Sequence, residues 1–170
     1  MFYSRPFGYS SSEKLPDSRV HDVAWKLGFP LIKDRLHLYS GYEQHVKDDK
    51  GIPNRLVTIT EANKTALIAA GLPASIFPPA VPTLERGHFM LFRTDLQLIE
   101  NHRLAVRFNH ADIFIENNIQ GGLNTLERSS DTSNVDHAIA TQLVSYSTRL
   151  VNEFRFQFVS RKAGSRANEF

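Results

Sequence analysis

The stretch FMLFRTDLQLIENHRLAVRFN, Phe89 to Asn109, decides the fold. On its first arm Met90, Phe92, Thr94, Leu96 and Leu98 share one parity, and Arg93, Asp95 and Gln97 the other. The second arm repeats the pattern, with Leu104, Val106 and Phe108 set against Arg103, Arg107 and Asn109. Side chains alternate across a strand, so each arm reads as a ribbon with an apolar and a charged side. Parity then constrains the turn, because the apolar sides coincide only across an odd loop. Glu100-Asn101-His102 fits, with Asn101 taking the left-handed conformation that three-residue hairpin loops require, and this register sets Asp95 opposite Arg107.

Outward from this hairpin the pattern recurs. Val23, Trp25, Leu27 and Phe29 alternate with Asp22, Ala24, Lys26 and Gly28; a two-residue turn at Lys33-Asp34 then sets Phe29 opposite Leu38 on a strand starting near Arg35. Towards the carboxy end, a strand from about Asp136 to Ser147 has ambiguous faces. Its partner is clear, with Phe154, Phe156 and Phe158 alternating with Glu153, Arg155 and Gln157. A turn near Thr148-Arg149 places Ile139, Thr141 and Leu143 against those phenylalanines. Residues 1–19 read as coil with an extended edge, 47–87 and 112–135 as long loops, and 164–170 as a polar tail. The first long loop carries the one good helical segment, Ala62 to Ala70, with Thr58 and Glu61 as a capping box and Gly71 and Pro73 as the stop.

Composition is that of a folded chain, 41% hydrophobic and 22% charged, and the net charge of +2 comes without a lysine and arginine cluster that would track phosphates, so no nucleic-acid partner is expected. With no cysteine, disulfides, thiolate nucleophiles and cysteine-bound metals drop out. No run of about 18 apolar residues reads as a spanning helix, and Met1 to Ser12 lacks the pattern of an export signal. His37 and His45 lie about 26 Å apart along one strand at ~3.3 Å per residue, and His102 and His110 share that spacing; no HExxH, nucleophile elbow or phosphate-cradling motif occurs. No catalytic residue, cofactor or metal is therefore expected, and the chain is not read as an enzyme.

Six strands as three hairpins, short turns at one end and long loops at the other, give an all-β, antiparallel up-and-down meander with one short helix in a loop: a partial transmembrane β-barrel over residues 20–163. Trp25, Phe29, Tyr42, Phe92, Phe108 and Phe154 are its candidate interface girdles. The segments SGYEQHVKDD, LFRTDLQLIENHRLAVRFN, GGLNTLERSSD and LVNEFRFQFVSR, in this order, resemble the barrel of TonB-dependent outer-membrane receptors, in particular the subfamily with a carboxypeptidase-regulatory-like amino-terminal domain. The resemblance implies a bacterial outer-membrane receptor for substrate uptake, with membrane lipid, a plug domain, further strands and the TonB energy-transducing system as partners. No plug domain, TonB box or regulatory domain is recognised, so the expectation is an internal segment of a longer receptor, not active alone. Lys26, Glu43, Arg93, Asp95, Arg103, Arg107, Glu153, Arg155 and Arg161 would then face the lumen. The alternative is a soluble β-rich binding module whose sheet is covered by the Ala62 to Ala70 helix.

Overall fold

The computed structural model describes residues 17–53, 60–77, 80–118 and 129–167. Six strands, β1 (Ser18–Ile32), β2 (Leu36–Pro53), β3 (Ala80–Ile99), β4 (His102–Asn118), β5 (Ser130–Tyr146) and β6 (Val151–Ala167), lie side by side in chain order in one antiparallel sheet. The sheet is open, with β1 and β6 as its edges.

Two registers agree with the parity reading and one differs. Phe29 stands opposite Leu38, although the turn holds three residues, Lys33 to Arg35, with Asp34 left-handed at φ 58°. A one-residue shift between Pro30 and Ile32 cancels the extra loop residue. Ile139, Thr141 and Leu143 face Phe158, Phe156 and Phe154 as expected. In the central hairpin the turn is only Glu100-Asn101, Asn101 is not left-handed, and a register shift between Gln97 and Ile99 restores the odd count. The whole ladder thereby slips by two, so Asp95 stands opposite Ala105, and Arg93 opposite Arg107. Parity fixes which faces meet; it cannot distinguish a three-residue loop from a two-residue turn plus a bulge.

The strands also run further than the side-chain pattern predicts. β2 continues to Pro53 and β3 begins at Ala80, inside the expected loop 47–87; β4 reaches Asn118 and β5 starts at Ser130, inside the expected loop 112–135. β1 starts at Ser18 and β6 runs to Ala167, so the coil and tail expectations are corrected there as well. Residues 1–16, 54–59, 78–79, 119–128 and 168–170, on which further parts of those expectations fall, lie outside the described residues. Strand ladders are held by main-chain hydrogen bonds, which Lys47-Asp48-Asp49 can make as well as any apolar run. Alternation is lost there because both faces are polar, and only the side-chain signal goes with it.

Backbone pairing places Trp25, Tyr42, Met90, His110, His137 and Ser160 in one row across the sheet. The next rows towards the short turns are Leu27, Ser40, Phe92, Phe108, Ile139, Phe158 and then Phe29, Leu38, Thr94, Val106, Thr141, Phe156, followed by Leu36, Leu96, Leu104, Leu143 and Phe154. One face therefore carries an apolar band from edge to edge. Of the expected girdle residues, Trp25 and Tyr42 sit on the band's upper margin with ring centroids 6.4 Å apart and Phe154 lies on the lower row, whereas Phe29, Phe92 and Phe108 fall within the band.

Nothing among the described residues covers that band. Trp25, Leu27, Phe29, Phe92, Phe108, Ile139, Phe154, Phe156 and Phe158 are all exposed, and Ile76, 4% accessible, is the one buried hydrophobic residue among the described residues. Helix α1 (Glu61–Ala69) sits in the β2–β3 connection with no buried residue of its own, so it does not cover the sheet. Its cap is Thr60, whose hydroxyl accepts from the Asn63 amide at 3.3 Å; Thr58 lies outside the described residues. Beyond it Gly71 supplies the stop at φ 101°.

Candidate functional site

The opposite face gathers the polar chemistry. Pairing puts all nine residues singled out from sequence on this one side: Lys26 on β1, Glu43 on β2, Arg93 and Asp95 on β3, Arg103 and Arg107 on β4, and Glu153, Arg155 and Arg161 on β6. They do not form one cluster. Arg93, Arg107 and Arg155 line a hollow of about 470 Å³ floored by Ala105 and Ala140. Lys26 and Glu43 belong to a second hollow of about 320 Å³, with Gly41, Ala111 and Ala138 among its lining.

These hollows follow from side-chain size. Ala24, Gly28, Gly41, Gly87, Ala105, Ala111, Ala138 and Ala140 all share this face, whereas the other carries most of the rings. Small residues on one face and bulky ones on the other favour a sheet that curls towards the small side, and β1 and β5 residues do line one common hollow. At Gly87 an added Cβ would lie 2.9 Å from the Phe89 ring, so the aromatic occupies the space a side chain would need.

Charge pairing is dense and local. Asp95 accepts from Arg93 Nε and Nη2 at 2.8 and 2.9 Å, and from Arg103 Nη2 at 3.1 Å. It thereby neutralises the row where Arg93 faces Arg107. Asp136 holds Arg161 through two bonds of 2.7 and 2.6 Å, and Glu153 accepts from Arg155 and from the Gln142 amide. Among the described residues Arg107, which lines the first hollow, is in no ion pair. At the long-loop end, Asp49 is buried and meets Lys47 Nζ at 2.9 Å. Burial pushes its carboxyl up, yet the Ser18 hydrogen bond and Lys47 outweigh it and hold the pKa below the usual value.

Sequence reading missed Asp136 and Gln142, because the faces of β5 were ambiguous; the alanine spacing Ala138, Ala140 is the signal that could have found them. Among the described residues no three His, Cys, Asp or Glu side chains come together as a metal cluster, and no helix is long and apolar enough to cross a membrane. No family model, curated protein or solved structure matches this chain.

Proposed function

We propose that this chain forms part of the wall of an outer-membrane β-barrel receptor, with its apolar band against lipid and its charged face against an aqueous interior. The observation that carries the reading is the uncovered band, continuous over six strands and backed by a face on which the nine charged residues singled out from sequence stand together with Asp136. An apolar surface of this extent needs a partner, and hydrocarbon is the one that asks for no second protein layer. Strand length supports the same reading: 15 to 20 residues against the 9–11 or so that cross a bilayer, so the polar ends project on the long-loop side. The four ordered segments that resemble TonB-dependent receptors give the finer proposal of substrate uptake, with plug, further strands and TonB system as partners. Under that proposal the nine charged residues pack against the plug or the passing solute, and the chain works only within a completed barrel.

The alternative of a soluble binding module requires a cover for the band, and α1 contributes no buried residue to one. Site-directed spin labels at Phe92 and Arg93 separate the two. In lipid vesicles, the label at 92 is expected to collide with oxygen dissolved in the bilayer, and the label at 93 with a water-soluble nickel chelate. Equal access of the aqueous probe to both, or a monodisperse, cooperatively melting monomer without detergent, overturns the reading.

A further inference from the structure

On the band's upper margin, His110 of β4 stands opposite His137 of β5, with ring centroids 4.8 Å apart and the two Nδ1 atoms 3.2 Å apart. Two nitrogens each 2.0–2.1 Å from one ion lie about 2.9 Å apart in a square plane and about 3.3 Å apart at the tetrahedral angle. The observed separation falls between those values, so the Nδ1–Nδ1 distance, between rings inclined at 27°, matches that of two ligands on one four-coordinate ion. Phe108 stacks against His137 with centroids 6.2 Å apart and limits the freedom of that ring. Met90 of β3 stands opposite His110 in the same row, on the side away from β5, and brings a thioether-bearing residue next to His110. Both histidines retain access to solvent, and both sit on paired strands, so little ordering is left to complete on binding.

We propose that His110 and His137 form a bidentate site for a first-row transition ion of the copper, nickel or zinc class, with Met90 as a further ligand for reduced copper and solvent completing the shell. Neutral imidazole suits those ions, and thioether selects Cu(I) among them. Without metal, one Nδ1–H donates to the other Nδ1. With metal, that proton moves through solvent to the Nε2 of its own ring, and both Nδ1 lone pairs turn to the ion. The proposal is independent of whether the band meets lipid or protein.

The test uses the full chain in detergent, titrated with Cu²⁺, Ni²⁺ or Zn²⁺ alone and followed by calorimetry and, for Cu²⁺, by electron paramagnetic resonance. One equivalent is expected to bind with two nitrogens resolved in the copper spectrum. His110→Gln and His137→Gln are each expected to weaken it about 10²-fold, the gain typical of a second ligand on one rigid support. His45→Gln is expected to leave it unchanged, and Met90→Leu to weaken Cu(I) alone. On the unaltered chain, metal should shield His110 and His137, but not His21 or His45, from diethylpyrocarbonate, a readout that does not depend on any variant folding. Absence of stoichiometric binding, weakening under tenfold in both single variants, or shielding spread evenly over the histidines would overturn the site.

Discussion

Phe156→Arg compared with Gln157→Arg isolates the lipid assignment, because the two residues are neighbours on one strand and point to opposite faces. Phe156 is 54% exposed, so its removal leaves no cavity, and what changes is the transfer of a ring or a charge into the surrounding medium. On β6 the apolar face runs from Asn152 to Ser160, eight steps that span about 26 Å along the strand at ~3.3 Å per residue and about 20 Å in depth at a tilt of ~40°. Phe156 lies midway, where an arginine facing hydrocarbon costs about 2–4 kcal/mol, against about 0–1 near the margins. For the chain reconstituted in phospholipid vesicles, Phe156→Arg should therefore lower the unfolding free energy by ~3 kcal/mol, roughly a factor of 10² in the equilibrium constant. Gln157→Arg should stay below ~1 kcal/mol. The assay is guanidinium unfolding read from Trp25, the single tryptophan, which sits on the upper margin of the same band. Equal effects from the two substitutions, or a Phe156→Arg effect under ~1 kcal/mol, refute the assignment.

Three further outcomes are expected. Arg107→Gln relieves the facing guanidiniums of Arg93 and Arg107 and should be neutral or stabilising by about 0.2–1 kcal/mol in the same unfolding assay; a clear loss would reveal an acidic partner for Arg107. Gly87→Ala forces the Phe89 ring aside and should cost about 1 kcal/mol, most of it recovered when Phe89→Leu is added. Asp49→Asn should cost about 1 kcal/mol at neutral pH. Because the folded carboxyl is held below its ordinary 3.8, its contribution is complete above that pH and fades as pH falls through the depressed value; the unaltered protein and Asp49→Asn should converge there in an acid titration.

What could be read from the letters was what lipid or a core imposes on side chains. Phe154, Phe156 and Phe158 gave their partners correctly because the alternation on β6 is unbroken and fixes the pairing even though the faces of β5 are ambiguous. The Phe89 to Asn109 hairpin gave its faces but not its register, since the shift between Gln97 and Ile99 changes the count by one without changing any residue's polarity. The far ends of the strands were invisible for a different reason: where both faces are polar, as at Lys47-Asp48-Asp49 and Ser130-Asp131-Thr132, or both apolar, as at Ile113-Phe114-Ile115, main-chain pairing continues with no periodic trace. All nine charged residues fell on one side by parity alone, yet the hollows among them depended on Ala105, Ala140, Gly41 and Ala138, whose smallness carries no alternating charge signal. The opposed pair His110 and His137 was likewise hidden, because histidine spacings were weighed within single strands and the pair forms between two.

The open edges set the terms on which the lipid reading can hold. Every second residue along an antiparallel edge directs its N–H and C=O outwards, and about 9–11 residues of a strand lie within a bilayer. Each of β1 and β6 would therefore carry about ten unpaired main-chain groups into hydrocarbon, at several kcal/mol apiece, a total of tens of kcal/mol. The transfer of Leu27, Phe29, Phe156 and their neighbours, at about 1.5–3 kcal/mol for each fully buried side chain, does not offset that sum. Under the lipid reading, six strands alone are thus disfavoured as a membrane species by the same physics that would send the apolar band to lipid. Insertion requires that β1 and β6 find strands to pair with, on the same polypeptide or another copy, and closed barrels begin at eight strands. Amide exchange along β1 and β6 in vesicles decides the point: protection equal to that of β3 and β4 means the edges are paired, while rapid exchange there in a stably inserted chain contradicts the membrane reading.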